Sequence, residues 1–168
     1  MSISMYAASV PVMKQMLEGL SGCLVKAQAS ADARKFDGAV LTGSRLAPDM
    51  FAFARQIQIA TDSAKGGIAR LAGVEIPKFE DTETTIAELQ ARIAKTLAFI
   101  ESVPAASIDG TDEKDITIQV AKQDMHFKGA AYLLHWVLPN FFFHVTTAYT
   151  ILRHNGVDVG KRDYLNRA

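Results

Sequence analysis

The chain has 168 residues, of which 49% are hydrophobic and 21% charged, the length and balance of one globular domain with a buried core. Lys plus Arg and Asp plus Glu each number 18, so the formal charge is zero. That balance speaks against a nucleic-acid surface, which needs a basic excess to displace counterions, and gives no attraction to an anionic membrane. Cys23 is the only cysteine, so no internal disulfide forms and an oxidising compartment is not implied. No basic segment followed by a long apolar run opens the sequence, and no apolar stretch reaches the ~20 residues that span a bilayer. The expectation is a cytoplasmic protein with residues 1–168 in a single domain.

Val10, Met13, Leu17, Leu20 and Leu24 form the apolar stripe of a first amphipathic helix, with Pro11 in its first turn. A Gly- and Ala-containing connection over 31–47 follows, with room for a short helix. Pro48-Asp49 reads as the start of a second helix. Its stripe is Phe53, Ile57, Ala60, Ala64, Ile68 and Leu71, with Gly73 as the stop. Gly66-Gly67 inside it point to close packing or a bend. The third helix is capped at Asp81 or Thr82, carries Ile86, Leu89, Ile93, Leu97 and Ile100 at core spacing, and closes at Pro104.

Ile116-Thr117-Ile118-Gln119-Val120 alternates apolar and polar, and Met125-His126-Phe127 can pair with it across a turn at 122–124, which predicts a small β-hairpin. A final helix is expected over 130–155, with Leu134, Leu138, Phe141, Val145, Ala148 and Leu152 as its core stripe. Pro139 should kink or interrupt it, and Asn155-Gly156 supply the C-cap. Three successive phenylalanines, 141–143, predict a helix buried on most sides or meeting another subunit. The tail over 161–165 is polar with one aromatic anchor, Tyr164. Four long helices plus a hairpin predict an all-α four-helix bundle.

Asn140 and His144 lie four apart, on one face of this apolar helix. Such a pair is a buried, mutually hydrogen-bonded couple, part of a ligand pocket, or part of a metal site. Gln58 and Asp62 form another four-spaced pair, off the apolar stripe and expected on a solvated face; if Gln58 instead faces inward, it can meet His144. His154 suits a helix C-terminal turn. His135 sits in the run Tyr132-Leu133-Leu134-His135-Trp136 close to Pro139, His126 shows no evident partner, and Cys23, between Leu20 and Leu24, reads as a buried inert thiol. No CxxC, GxGxxG, P-loop or GxSxG motif is present.

The run Pro139-Asn140-Phe141-Phe142-Phe143-His144, then Tyr149, Leu152-Arg153-His154-Asn155-Gly156 and Gly160-Lys161-Arg162-Asp163, resembles a branch of unknown function in the DinB/YfiT-like superfamily. Leu46-Ala47-Pro48-Asp49-Met50, the segment 56–60 and Ala64-Lys65-Gly66 extend the likeness over nearly the whole chain. The resemblance implies an up-down-down-up bundle, often dimeric. It also implies a divalent-metal site of three histidines, one on the second helix and an HxxxH pair on the fourth, with thiol-dependent transferase chemistry in some members. Carried over here, His144 matches the second histidine of HxxxH, Asn140 the first and Gln58 the histidine of the second helix. Two of the three positions are amides, which are poor ligands for zinc, nickel or iron. Three functions follow as expectations. The first is a ligand-binding bundle with a pocket at His144, Asn140 and Gln58 and a degenerate metal site. The second is a divalent-metal-dependent transferase or hydrolase with His144 as principal ligand. The third is a structural interaction module with a vestigial pocket. A homodimer is expected in each case, and no catalytic residue is assigned.

Overall fold

The computed structural model describes residues 3–167. Eight α-helices, a hairpin and one π-helical segment follow in chain order among those residues. They are α1 (Val10–Arg34), α2 (Ala39–Gly43), α3 (Phe53–Ala72), α4 (Ile86–Ser102), α5 (Ala105–Ile108), β1 (Asp115–Val120), β2 (Gln123–Lys128), α6 (Gly129–Tyr132), the π segment Leu133–Val137, α7 (Leu138–His154) and α8 (Lys161–Tyr164). The protein is mostly helical with one small sheet. α3 packs on both α4 and α7, while α1 packs on the same two helices and carries α8 on its outer side. Met13, Leu17, Leu24, Ile57, Ala64, Ile68, Leu89, Ile93, Phe141, Val145 and Leu152 meet in one continuous core. No helix among the described residues is long and apolar enough to cross a membrane.

The apolar stripes of the sequence become these core faces, but several boundaries move for physical reasons. α3 starts at Phe53 rather than at Pro48-Asp49, because the Phe53 amide bonds back to the Ser44 carbonyl at 2.8 Å and Ala52 is extended. α4 is capped by Thr85, not Asp81 or Thr82. Thr85 and Glu88 form a reciprocal capping box, while Asp81 is drawn to arginines. Glu88 is held down to about 2 by the Thr84 and Thr85 amides that it accepts from.

The hairpin turns at Ala121-Lys122, both with positive φ (49° and 68°), the backbone of a two-residue turn matched to strand twist. Ile116 and Ile118 face the core, and the Phe127 ring tilts against Tyr132 and Trp136 at 5.9 and 5.8 Å between centroids.

The final helix expected over 130–155 runs without a gap from Gly129 to His154 as α6, the π segment and α7, the π turn before Pro139 being its interruption. The Leu138 amide reaches back to the Leu133 carbonyl, the longer bond of a π turn, and Pro139 then sits in the first turn of α7, where its missing N–H is harmless. The wider turn rotates Leu134 out of the core stripe to 50% exposure. Val137 is turned inward against Gly67, where a Cβ would stand 2.5 Å from Val137 Cγ1. Of the phenylalanine triplet, Phe141 is buried, Phe142 half-buried and Phe143 56% exposed, so α7 is not buried on most sides.

Candidate functional site

The seam between α3 and α7 carries the polar residues that the sequence singles out. His144 is buried, at 8% exposure, and its Nδ1 lies 2.7 Å from Oε1 of Gln56, not of Gln58. Gln56 Nε2 donates to the Phe51 carbonyl at 3.0 Å, which fixes the amide orientation. Oε1 can then only accept, so Nδ1 carries the proton and Nε2 keeps the lone pair. Burial, followed by the nearby Arg55 charge, pushes the His144 imidazole below its ordinary value. Gln56 sits on the apolar stripe three residues after Phe53 and four before Ala60, a placement that marks it as inward-facing. Asn140 does not reach His144's partner. Its Nδ2 donates to the Trp136 carbonyl at 2.7 Å, at the end of the π segment.

Gln58 is buried, contrary to the solvated face expected for it, but it faces α4 and the loop before it. Oε1 accepts from Arg55 at 3.1 Å and Nε2 donates to Glu83 at 3.0 Å. Both contacts belong to an ion cluster centred on Arg92, whose side chain is 1% exposed. Arg92 pairs with Asp62 at 2.7 Å, Asp81 at 3.0 Å and Glu83 at 3.0 Å, and donates to the Thr61 hydroxyl at 2.7 Å. Lys65 pairs with Asp62 at 3.1 Å and Arg55 with Asp81. Three cations thus meet three carboxylates, and Arg92 also lies 5.4 Å from the centroid of the Phe79 ring. Arg92 falls three residues after Leu89 on the core face of α4, a polar interruption the periodicity contains.

Between the ion cluster and the π segment lies a groove of about 190 Å³ lined by Asp62, Ser63, Arg70, Tyr132, Trp136, Val137 and Asn140. Of the sequence-assigned trio, only Asn140 lines it. Cys23 is buried in α1 away from this seam. Desolvation, then Asp163, pushes its thiol up to about 11, an inert setting.

The donors present do not fit a divalent metal. The seam offers one imidazole nitrogen, His144 Nε2, whose Nδ1 is already committed to Gln56. The amides of Asn140 and Gln58 are spent on the Trp136 carbonyl and on Arg55 and Glu83. Arg55 sets a positive charge against any cation at His144. Among the described residues no three His, Cys, Asp or Glu side chains converge as a ligand set, and no buried side-chain nitrogen or oxygen lacks a hydrogen-bond partner.

Residues 5–165 match the model of a family described as Domain of unknown function (DUF1993). Among solved structures, the chain is similar to the crystal structure of a DinB family member protein from Shewanella denitrificans. The two are 44% identical, with 95% of this chain and 90% of that chain covered and a TM-score of 0.87. No curated protein matches.

Proposed function

The chain belongs to the DUF1993 family, within the DinB-like superfamily, and we propose that it is a metal-independent binder of a small ligand, seated at the α3–α7 seam. The carrying observation is the groove beside the π segment. Charged and polar side chains converge there on an apolar wall of Trp136 and Val137, and π turns recur at functional sites. Asn140 lines the seat directly. His144, through Gln56, locks α7 onto α3, and Gln58 acts through the ion cluster that holds Asp62 in place.

The metal-dependent transferase or hydrolase is the second reading. Family likeness favours it, and the donor set opposes it, since one imidazole beside two committed amides and an arginine is a weak site for zinc, nickel or iron. No step through a metal is assigned. A module with a vestigial pocket is the third reading and differs in having no ligand. The arrangement is taken as a single-domain, up-down-down-up bundle of α1, α3, α4 and α7, working in the cytoplasm.

Titration of ¹⁵N-labelled protein with a fragment library in the presence of EDTA tests the proposal. Shifts in the Trp136 indole and the Ser63 and Asn140 amides are expected. Binding seen only after zinc, nickel or iron is added favours the second reading, and no perturbation by any fragment favours the third.

A homodimer is part of the same proposal, because Phe51, Leu134 and Phe143 leave apolar surface uncovered. Sedimentation at micromolar concentration should give a dimer; monomer alone would contradict it.

A further inference from the structure

Two charged groups of the groove are incompletely used. Arg70 has no carboxylate partner among the described residues. Its Nη1 donates to the Tyr132 hydroxyl at 3.1 Å; among the described residues Nη2 and Nε have no partner, and the Tyr132 proton is available to an incoming oxygen. Asp62 meets its two cations, Arg92 at 2.7 Å and Lys65 at 3.1 Å, through Oδ1, and among the described residues its Oδ2 accepts no hydrogen bond.

Arg70 is eight residues from Asp62, but its side chain runs back along α3. A Cβ on Gly66 would stand 2.8 Å from Arg70 Nη1, so the guanidinium lies across the glycine's bare backbone. Gly66 is one turn from Asp62, about 6 Å along the helix axis. The missing side chain thus brings a free guanidinium edge to within one turn of a free carboxylate oxygen. Trp136 and Val137 close the groove with apolar surface.

We propose that this groove takes the backbone of a small α-amino acid, its carboxylate on Arg70 and the Tyr132 hydroxyl and its ammonium on Asp62 Oδ2. The inference builds on the small-ligand reading of the same groove and names the ligand's class. Three features select it. A guanidinium edge matches a carboxylate. Asp62 Oδ2 has lone pairs to offer an ammonium beside the Arg70 edge, so a ligand bearing both charges engages both groups where a carboxylate alone engages only Arg70. The volume, about 190 Å³, restricts the side chain to a small one packed on Trp136. Ser63 and Asn140 add polar side chains to the lining.

The test is calorimetric and NMR titration of the intact protein with L-alanine, acetate and methylamine. L-alanine should bind about tenfold more tightly than either single-charge probe, the worth of one additional charge-assisted hydrogen bond. Arg70→Gln should weaken L-alanine by about tenfold or more. Gly66→Ala should do the same by displacing the guanidinium while the helix, which favours alanine over glycine, stays folded. Acetate binding as tightly as L-alanine overturns the proposal, and so does L-alanine binding unaffected by both variants. If uncharged fragments shift the Trp136 indole and L-alanine does not, the amino-acid assignment fails and the ligand seat stands. If no compound perturbs the groove, both fail.

Discussion

Nδ1 of His144 on α7 and Oε1 of Gln56 on α3 stand 2.7 Å apart, a buried bond that ties the two helices across the core. Because Gln56 is itself held by the Phe51 carbonyl, the imidazole is fixed as the neutral tautomer with its proton on Nδ1. The pair explains a histidine in an apolar helix without recourse to a metal.

His144→Ala leaves the Gln56 oxygen buried and unpaired, so it should cost about 1–3 kcal/mol in urea unfolding. The pH dependence follows from the downward shift, caused first by burial and then by Arg55. Above the ordinary histidine value of 6.5, both folded and unfolded His144 are neutral and the stability is complete. As the pH falls below 6.5 the unfolded chain takes up a proton that the fold resists, so stability declines until folded His144 also protonates. In His144→Ala this part of the acid-side slope should vanish. An unchanged slope and a cost near zero would show that the bond carries no weight.

Gly67→Ala should destabilise by about 1–3 kcal/mol although alanine is the better helix former, because its Cβ would stand 2.5 Å from Val137 Cγ1 in the π segment. Thermal unfolding measures this. A stabilised Gly67→Ala protein would mean that the π segment does not press on α3.

Arg92→Ala removes the centre of the ion cluster and should cost about 3 kcal/mol, the lower end for a broken buried pair because Asp62 and Asp81 are 37% and 38% exposed. Arg92→Lys should recover only part of that, since an ammonium has three donors where the guanidinium serves Thr61, Asp62, Asp81 and Glu83 together. Urea unfolding of both variants checks the order. Equal stability of the arginine and alanine proteins would remove the cluster from the account.

The helices were legible because their signal is local. Leu89, Ile93 and Ile100 repeat at core spacing whatever they later touch, and Ile116 and Ile118 alternate as a half-buried strand must. The capping residue was not, because choosing Thr85 over Asp81 requires knowing that Asp81 is bound to Arg55 and Arg92. The π segment was hidden for a similar reason. Leu134 and Leu138 have ordinary helical spacing, and only packing of Val137 on Gly67 and the placing of Pro139 reveal the wider turn. At the site, His144 was legible as a polar residue in an apolar helix, but its partner was not Gln58. Gln56 and Gln58 are two positions apart, about half a helical turn, so one faces α7 and the other the ion cluster. Arg92 was missed because charged residues rarely occupy core positions unless paired, and its carboxylates come from α3 and from the loop that precedes α4.

Elemental analysis of the native protein, purified without a histidine tag and without chelator, tests the metal-independent assignment most directly. The assignment predicts zinc, nickel and iron each far below one equivalent per chain, and the same residual content in His144→Ala. One equivalent of any of these metals in the native protein, lost in His144→Ala, would contradict it and establish His144 Nε2 as a metal ligand.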